Sequence, residues 1–139
     1  MKDLFLLIAV IAGGVIAIRL YTRTMRPNAV SSPKGSGIYQ KLSPQDAKVK
    51  LDADDTVILL DVRTEAEFNQ GHIPDAVCLP VDKIWSDTQI VSEKDAEIIV
   101  YCQSGSRSAR AAKKLAGMGY TQVYDMGGIS AWPYGTTQE

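Results

Sequence analysis

The longest apolar run lies at the start of the chain. Leu4 to Ile18, LFLLIAVIAGGVIAI, holds fifteen residues without a polar side chain. Thr22 to Gly37 then shows almost no apolar periodicity, carries two prolines and two glycines, and reads as a flexible linker. From Ile38 the pattern changes again. Ser43-Pro44-Gln45-Asp46 predicts a helix start, with a serine cap, a proline at the first helical position and an acid in the first turn, running to about Ala53. TVILL (56–60) and EIIVY (97–101) are unbroken apolar runs of strand length, suited to strands covered on both faces. Thr64 to Asn69 predicts a turn or two of helix stopped by Gly71, and Ala76 to Leu79 a short strand followed by a helical turn over Val81 to Trp85. Ser106 to Met118 has the clearest helical period, with Ala109, Ala112, Leu115 and Ala116 on one stripe and Gly119 after its end. Gln122 to Tyr124 predicts a strand, and Gly127-Gly128 the opening of a short helix through Trp132. Strands alternating with helices imply an α/β domain over 38–139 with a mainly parallel central sheet flanked by helices, preceded by a hydrophobic helix.

Charge sharpens the division. Residues 1–37 carry Lys2, Arg19, Arg23, Arg26 and Lys34 against Asp3 alone, a net of +4, which leaves −5 for the rest of a chain whose total is −1. A membrane span needs about 20 residues. A snorkelling Arg19 and an interfacial Tyr21 extend the apolar run to residues 1–21. Arginines clustered after it favour a retained transmembrane anchor with the following domain on the cytoplasmic side. The alternative is a signal peptide, cleaved near Val15-Ile16-Ala17, and export.

The totals, 45% hydrophobic and 22% charged, are those of a globular domain, with no basic excess to suit nucleic acid. Cys78 and Cys102 are the only cysteines and His72 the only histidine, which is no zinc pattern.

The chemistry concentrates in YCQSGSRS, residues 101–108. Cys102 stands at the carboxyl end of a strand, where open α/β sheets bind ligands. Gln103, Ser104, Gly105, Ser106 and Arg107 carry the chain into a helix whose first amides lack helical partners. Those amides, the helix dipole and the Arg107 guanidinium form an expected cradle for negative charge. The same field favours thiolate over thiol, giving a nucleophile without a neighbouring base.

Four blocks in order, LLDVR (59–63), EFNQGHIPDA (67–76), YCQSGSRS (101–108) and YDMGGISAW (124–132), resemble the rhodanese family of sulfurtransferases. The resemblance implies that Cys102 accepts a sulfane sulfur from a donor such as thiosulfate or a persulfide and holds it as a persulfide. It then passes the sulfur to cyanide, a thiol or a thioredoxin-like protein, with no metal or organic cofactor. Related cysteine-dependent phosphatases carry five residues between cysteine and arginine; here four intervene, which ranks phosphatase or arsenate reductase chemistry below sulfur transfer. A non-catalytic binding or sulfide-sensing module is the other alternative, but its usual mark, a lost cysteine or distorted loop, is not seen. Thiosulfate-using members often place basic side chains directly after the cysteine, where this chain has Gln103 and Ser104. The family commonly has glycine where this chain has Asp75.

Other residues read more simply. His72 is expected to satisfy backbone groups in its turn. Asp61 and Arg63 come after a strand end, and are expected to form an ion pair or, for Arg63, to attract an anionic donor. Cys78 is a small core residue or, if it faces the loop, a resolving thiol.

Overall fold

The computed structural model describes residues 38–85, 88 and 90–139. The expected anchor (1–21) and linker (22–37) lie outside the described residues. Among the described residues, no helix is long and apolar enough to cross a membrane.

Five strands form one sheet: β1 Gln40–Lys41, β2 Ile58–Asp61, β3 Val77–Cys78, β4 Glu97–Cys102 and β5 Gln122–Gly128. Their spatial order is β1-β5-β4-β2-β3, and every pairing is parallel. The helices are α1 Pro44–Ala53, α2 Glu65–Gln70 and α3 Ser106–Gly117, with 3-10 turns at Val81–Lys83 and Ile129–Ala131. Each helix starts where the sequence supplies a start. Ser43 caps α1 by accepting from the Asp46 amide, and Pro44 stands at its first position. Thr64 and Glu67 form a reciprocal capping box on α2.

Successive residues of β4 point to opposite faces of the sheet. Ile98, Val100 and Cys102 join a cluster with Leu60, Val62, Val123 and the α3 residues Ala111, Ala112 and Leu115. Ile99 and Tyr101 join a second cluster with Leu59, Ile73, Met126 and Ala47 of α1. All five of these β4 side chains are buried, and burying each aliphatic one stabilises the fold by roughly 1.5–3 kcal/mol. β4 is therefore central in both senses, covered on both faces and flanked by strands on both sides. Cys102 is its last residue.

Two details differ from the sequence expectation. The two-residue strand β1, exposed at the sheet edge, has no alternation to signal it. β5 does not stop at Tyr124 but runs through Gly127 and Gly128, which the pattern assigned to a helix start. The reason is a bulge: Val100 pairs with Asp125 and Tyr101 with Gly127, so Met126 is the extra residue. Gly127 takes a positive φ of 89° beyond it.

Candidate active site

Cys102 ends β4, and the chain turns at once through Gln103 and Ser104 to Gly105, which caps α3 in the left-handed region at φ 108°. That turn aims amides back at the sulfur. The Gly105 N–H donates to Cys102 Sγ at 3.0 Å. Burial pushes the Cys102 thiol up, but hydrogen bonds from the Ser108 amide and hydroxyl and from the Gly105 and Ser104 amides outweigh it, so the net shift is downward. The Ser108 hydroxyl has a single proton. It donates to the Gly105 carbonyl at 2.9 Å or rotates to the sulfur.

The loop is backed by β5. A Cβ on Gly128 would lie 2.4 Å from the Gln103 carbonyl oxygen and 2.9 Å from Ser104 Cα, so only glycine lets the strand pass so close. Ser130 donates to the same Gln103 carbonyl at 3.2 Å.

Arg107 has a partner that the sequence reading did not name. Its two terminal nitrogens donate to both carboxylate oxygens of Glu67, at 2.7 and 2.8 Å, so its charge is matched within the chain while it stays within electrostatic reach of the Cys102 sulfur. Arg107, then the Thr64 backbone, holds the Glu67 carboxyl down at about 2. The physical reason is α2, whose capping box fixes Glu67 opposite the first turn of α3. Of the sulfur's donors, Ser104 and Gly105 belong to the expected Gln103-to-Arg107 span, and Ser108 lies one residue beyond it.

Arg63 and Asp61 form the ion pair. Arg63 Nε lies 3.0 and 3.1 Å from the two carboxylate oxygens and Nη2 lies 2.6 Å from one of them. Nη2 also donates to the Gly71 carbonyl at 2.8 Å, tying the end of β2 to the turn before His72. Both side chains are buried, which removes Arg63 from anion attraction at the surface. His72 has the structural place expected: Nδ1 is 2.9 Å from the Phe68 carbonyl, Nε2 is 3.0 Å from the Glu139 carbonyl, and its ring stacks on Phe68. Cys78 pairs in register with Asp61, whose other neighbour is Tyr101. Two strand spacings put Cys78 about 10 Å from the end of β4, beyond the ~7 Å limit for a disulfide. It is not a resolving thiol in this arrangement.

Sequence reasoning missed Ser108, Glu67 and the contact at Gly128. The first two had signals. Ser108 is the third residue of a helix capped by Gly105, and T-x-x-E marks a capping box.

At the carboxyl edge of a parallel sheet, then, stands a cysteine whose thiol is shifted downward by hydrogen-bond donors of its own loop, which favours its nucleophilic form. Residues 43–133 match the Rhodanese-like domain family, and the chain belongs to it. It is 38% identical over 96 residues to a sulfurtransferase of Allochromatium vinosum, covering 68% of this chain and 89% of that protein. It is 32% identical over 95 residues to the thiosulfate sulfurtransferase GlpE of Pseudomonas savastanoi pv. phaseolicola, covering 68% and 87%. The crystal structure of a rhodanese-like domain protein from Staphylococcus aureus superposes with a TM-score of 0.63 at 31% identity, covering 72% of this chain and 98% of that one. Sulfurtransferase homologues over most of the domain support sulfur transfer at the level of the family.

Proposed function

We propose that the protein moves a sulfane sulfur through a persulfide on Cys102. The observation that carries this reading is the sulfur's surroundings: a buried thiol whose pKa is nevertheless lowered, because amides and a hydroxyl close around it. In the first half-reaction the thiolate attacks the outer sulfur of the donor. The new S–S bond forms as the donor's own breaks, and the donor leaves as sulfite or thiolate with the electron pair. In the second, cyanide, a thiol or a thioredoxin-like protein attacks that sulfur and regenerates the Cys102 thiolate. Charge and atoms balance in both halves without a redox cofactor. The amides of Ser104, Gly105 and Ser108 support the step because they are donors that cannot themselves act as nucleophiles.

The test is mass spectrometry of the intact full-length chain after incubation with thiosulfate or with cysteine persulfide. The expected result is a gain of one sulfur, discharged by cyanide and absent from Cys102→Ser. Hydrolysis of a phosphate ester, with no sulfur gained from either donor, would overturn the reading.

The run Leu4 to Ile18 and the arginines at 19, 23 and 26 support a single amino-terminal anchor with the domain on the cytoplasmic side. Protease digestion of sealed vesicles checks it. Cleavage only after the cytoplasmic face is opened to the protease is expected, and release of a soluble chain lacking residues 1–21 would refute it.

A further inference from the structure

Among the described residues, three cations near the cysteine are each matched by a carboxylate. Arg107 and Lys41 lie within electrostatic reach of the Cys102 thiolate. Arg107 is held at both terminal nitrogens by Glu67. Lys41 is paired with Asp125, a fully buried carboxylate. Arg63, on the same edge of the sheet, is paired with Asp61. Gln103 and Ser104, exposed beside the sulfur, bring no charge.

Glu67 is a fixed partner rather than a passing one. Its Oε2 also accepts from the Thr64 N–H and the Thr64 hydroxyl, each at 2.9 Å, so four donors converge on one carboxylate. Swinging Arg107 toward a ligand would break two charge-assisted hydrogen bonds and leave that carboxylate without its cation.

The donor must come up to a thiolate. Thiosulfate brings two negative charges to that thiolate and leaves as a sulfite dianion. A persulfide carries at most one. The thiolate attacks its outer sulfur, the S–S bond breaks, and a thiolate departs with the electron pair. A mouth without unmatched positive charge discriminates between the two by repulsion alone.

We propose that Glu67 is the positioning residue that sets donor class: by neutralising Arg107 it turns the site toward persulfide donors and away from thiosulfate. This rests on the sulfur-transfer reading of Cys102. Replacing Glu67 with glutamine removes the charge while keeping a side chain that completes a capping box, so α2 retains its start. Arg107 then presents an uncompensated charge.

The experiment measures kcat/KM for thiosulfate and for cysteine persulfide, with cyanide as acceptor, in the full-length wild type, Glu67→Gln, Arg107→Gln and the double variant. The quantity read is the thiosulfate-to-persulfide ratio. It should rise roughly tenfold in Glu67→Gln at low salt, and the gain should shrink as salt is added. It should fall in Arg107→Gln, where Glu67 is left unmatched, and return toward wild type in the double variant. A purely structural role predicts no such change of sign. A ratio unchanged in Glu67→Gln, or moved in the same direction by both single variants, overturns the proposal. If the wild type takes sulfur from neither donor, the failure lies in the sulfur-transfer reading itself.

Discussion

Cys78 and Cys102 both end parallel strands of one sheet, yet their thiols shift in opposite directions. Burial pushes both up. For Cys78 the negative charges of Asp61 and Glu65 push the same way. For Cys102 hydrogen-bond donors reverse the sign. The difference lies in the backbone just beyond each cysteine. After Cys78, the Leu79 amide goes to the Asp61 carbonyl at 2.9 Å, Pro80 has no N–H, and the Val81 amide goes to the Val62 carbonyl at 3.1 Å. After Cys102, the chain reverses through Gly105 and its amides stay available to the sulfur. Position at a strand's carboxyl end is thus not enough to activate a thiol. The loop must leave its donors unspent.

The comparison breaks most completely if the loop is pushed off its support. In Gly128→Ala the new methyl would sit 2.4 Å from the Gln103 carbonyl, a backbone atom that cannot rotate away. Overpacking of this kind costs about 1–3 kcal/mol. The expected result is a lower Tm with sulfur loading of Cys102 reduced roughly tenfold, an order-of-magnitude figure from the same overpacking cost. Gly117→Ala is the control, since no atom lies within 4 Å of the added carbon, and it should leave both nearly unchanged. Full loading in Gly128→Ala would show that β5 does not hold the loop in shape.

The sequence announced the parts of this site made by contiguous residues. EIIVY ran unbroken into Cys102, the α3 stripe began at Ser106, and Gly105 stood where the turn needed it. These are local signals, because strand burial and helix period are written in neighbouring residues. The pairing of Arg107 with Glu67 was hidden because the partner is 40 residues away, on a helix whose orientation only packing decides. Gly128 was hidden for the same reason. Its contact is across the sheet, and a bulge at Met126 sets the register that brings it there. The ion pair of Asp61 and Arg63 was legible because the two are only two residues apart. Which of its two weighed roles Arg63 takes was settled by burial, a property of the packed domain rather than of LLDVR alone.

A smaller change should move Cys102 part of the way toward Cys78. Ser108→Ala removes the hydroxyl while leaving the amide in place, so one of the sulfur's donors is lost and the others remain. A hydrogen bond to a charged group is worth about 1.5–3 kcal/mol, and sharing with the Gly105 carbonyl places this one near the low end, about one pKa unit. The sign comes from the favoured state. Losing a donor destabilises the thiolate, so the thiol's pKa rises and reactivity appears at higher pH. Iodoacetamide labelling across a pH series, read by peptide mass, reports both thiols in one sample. The Cys102 midpoint should move up by about one unit in Ser108→Ala. The Cys78 midpoint, above that of Cys102 in the wild type, should stay where it is. Equal midpoints in the wild type would remove the distinction between the two cysteines. An unmoved Cys102 midpoint in the variant would assign its thiolate to the amides alone.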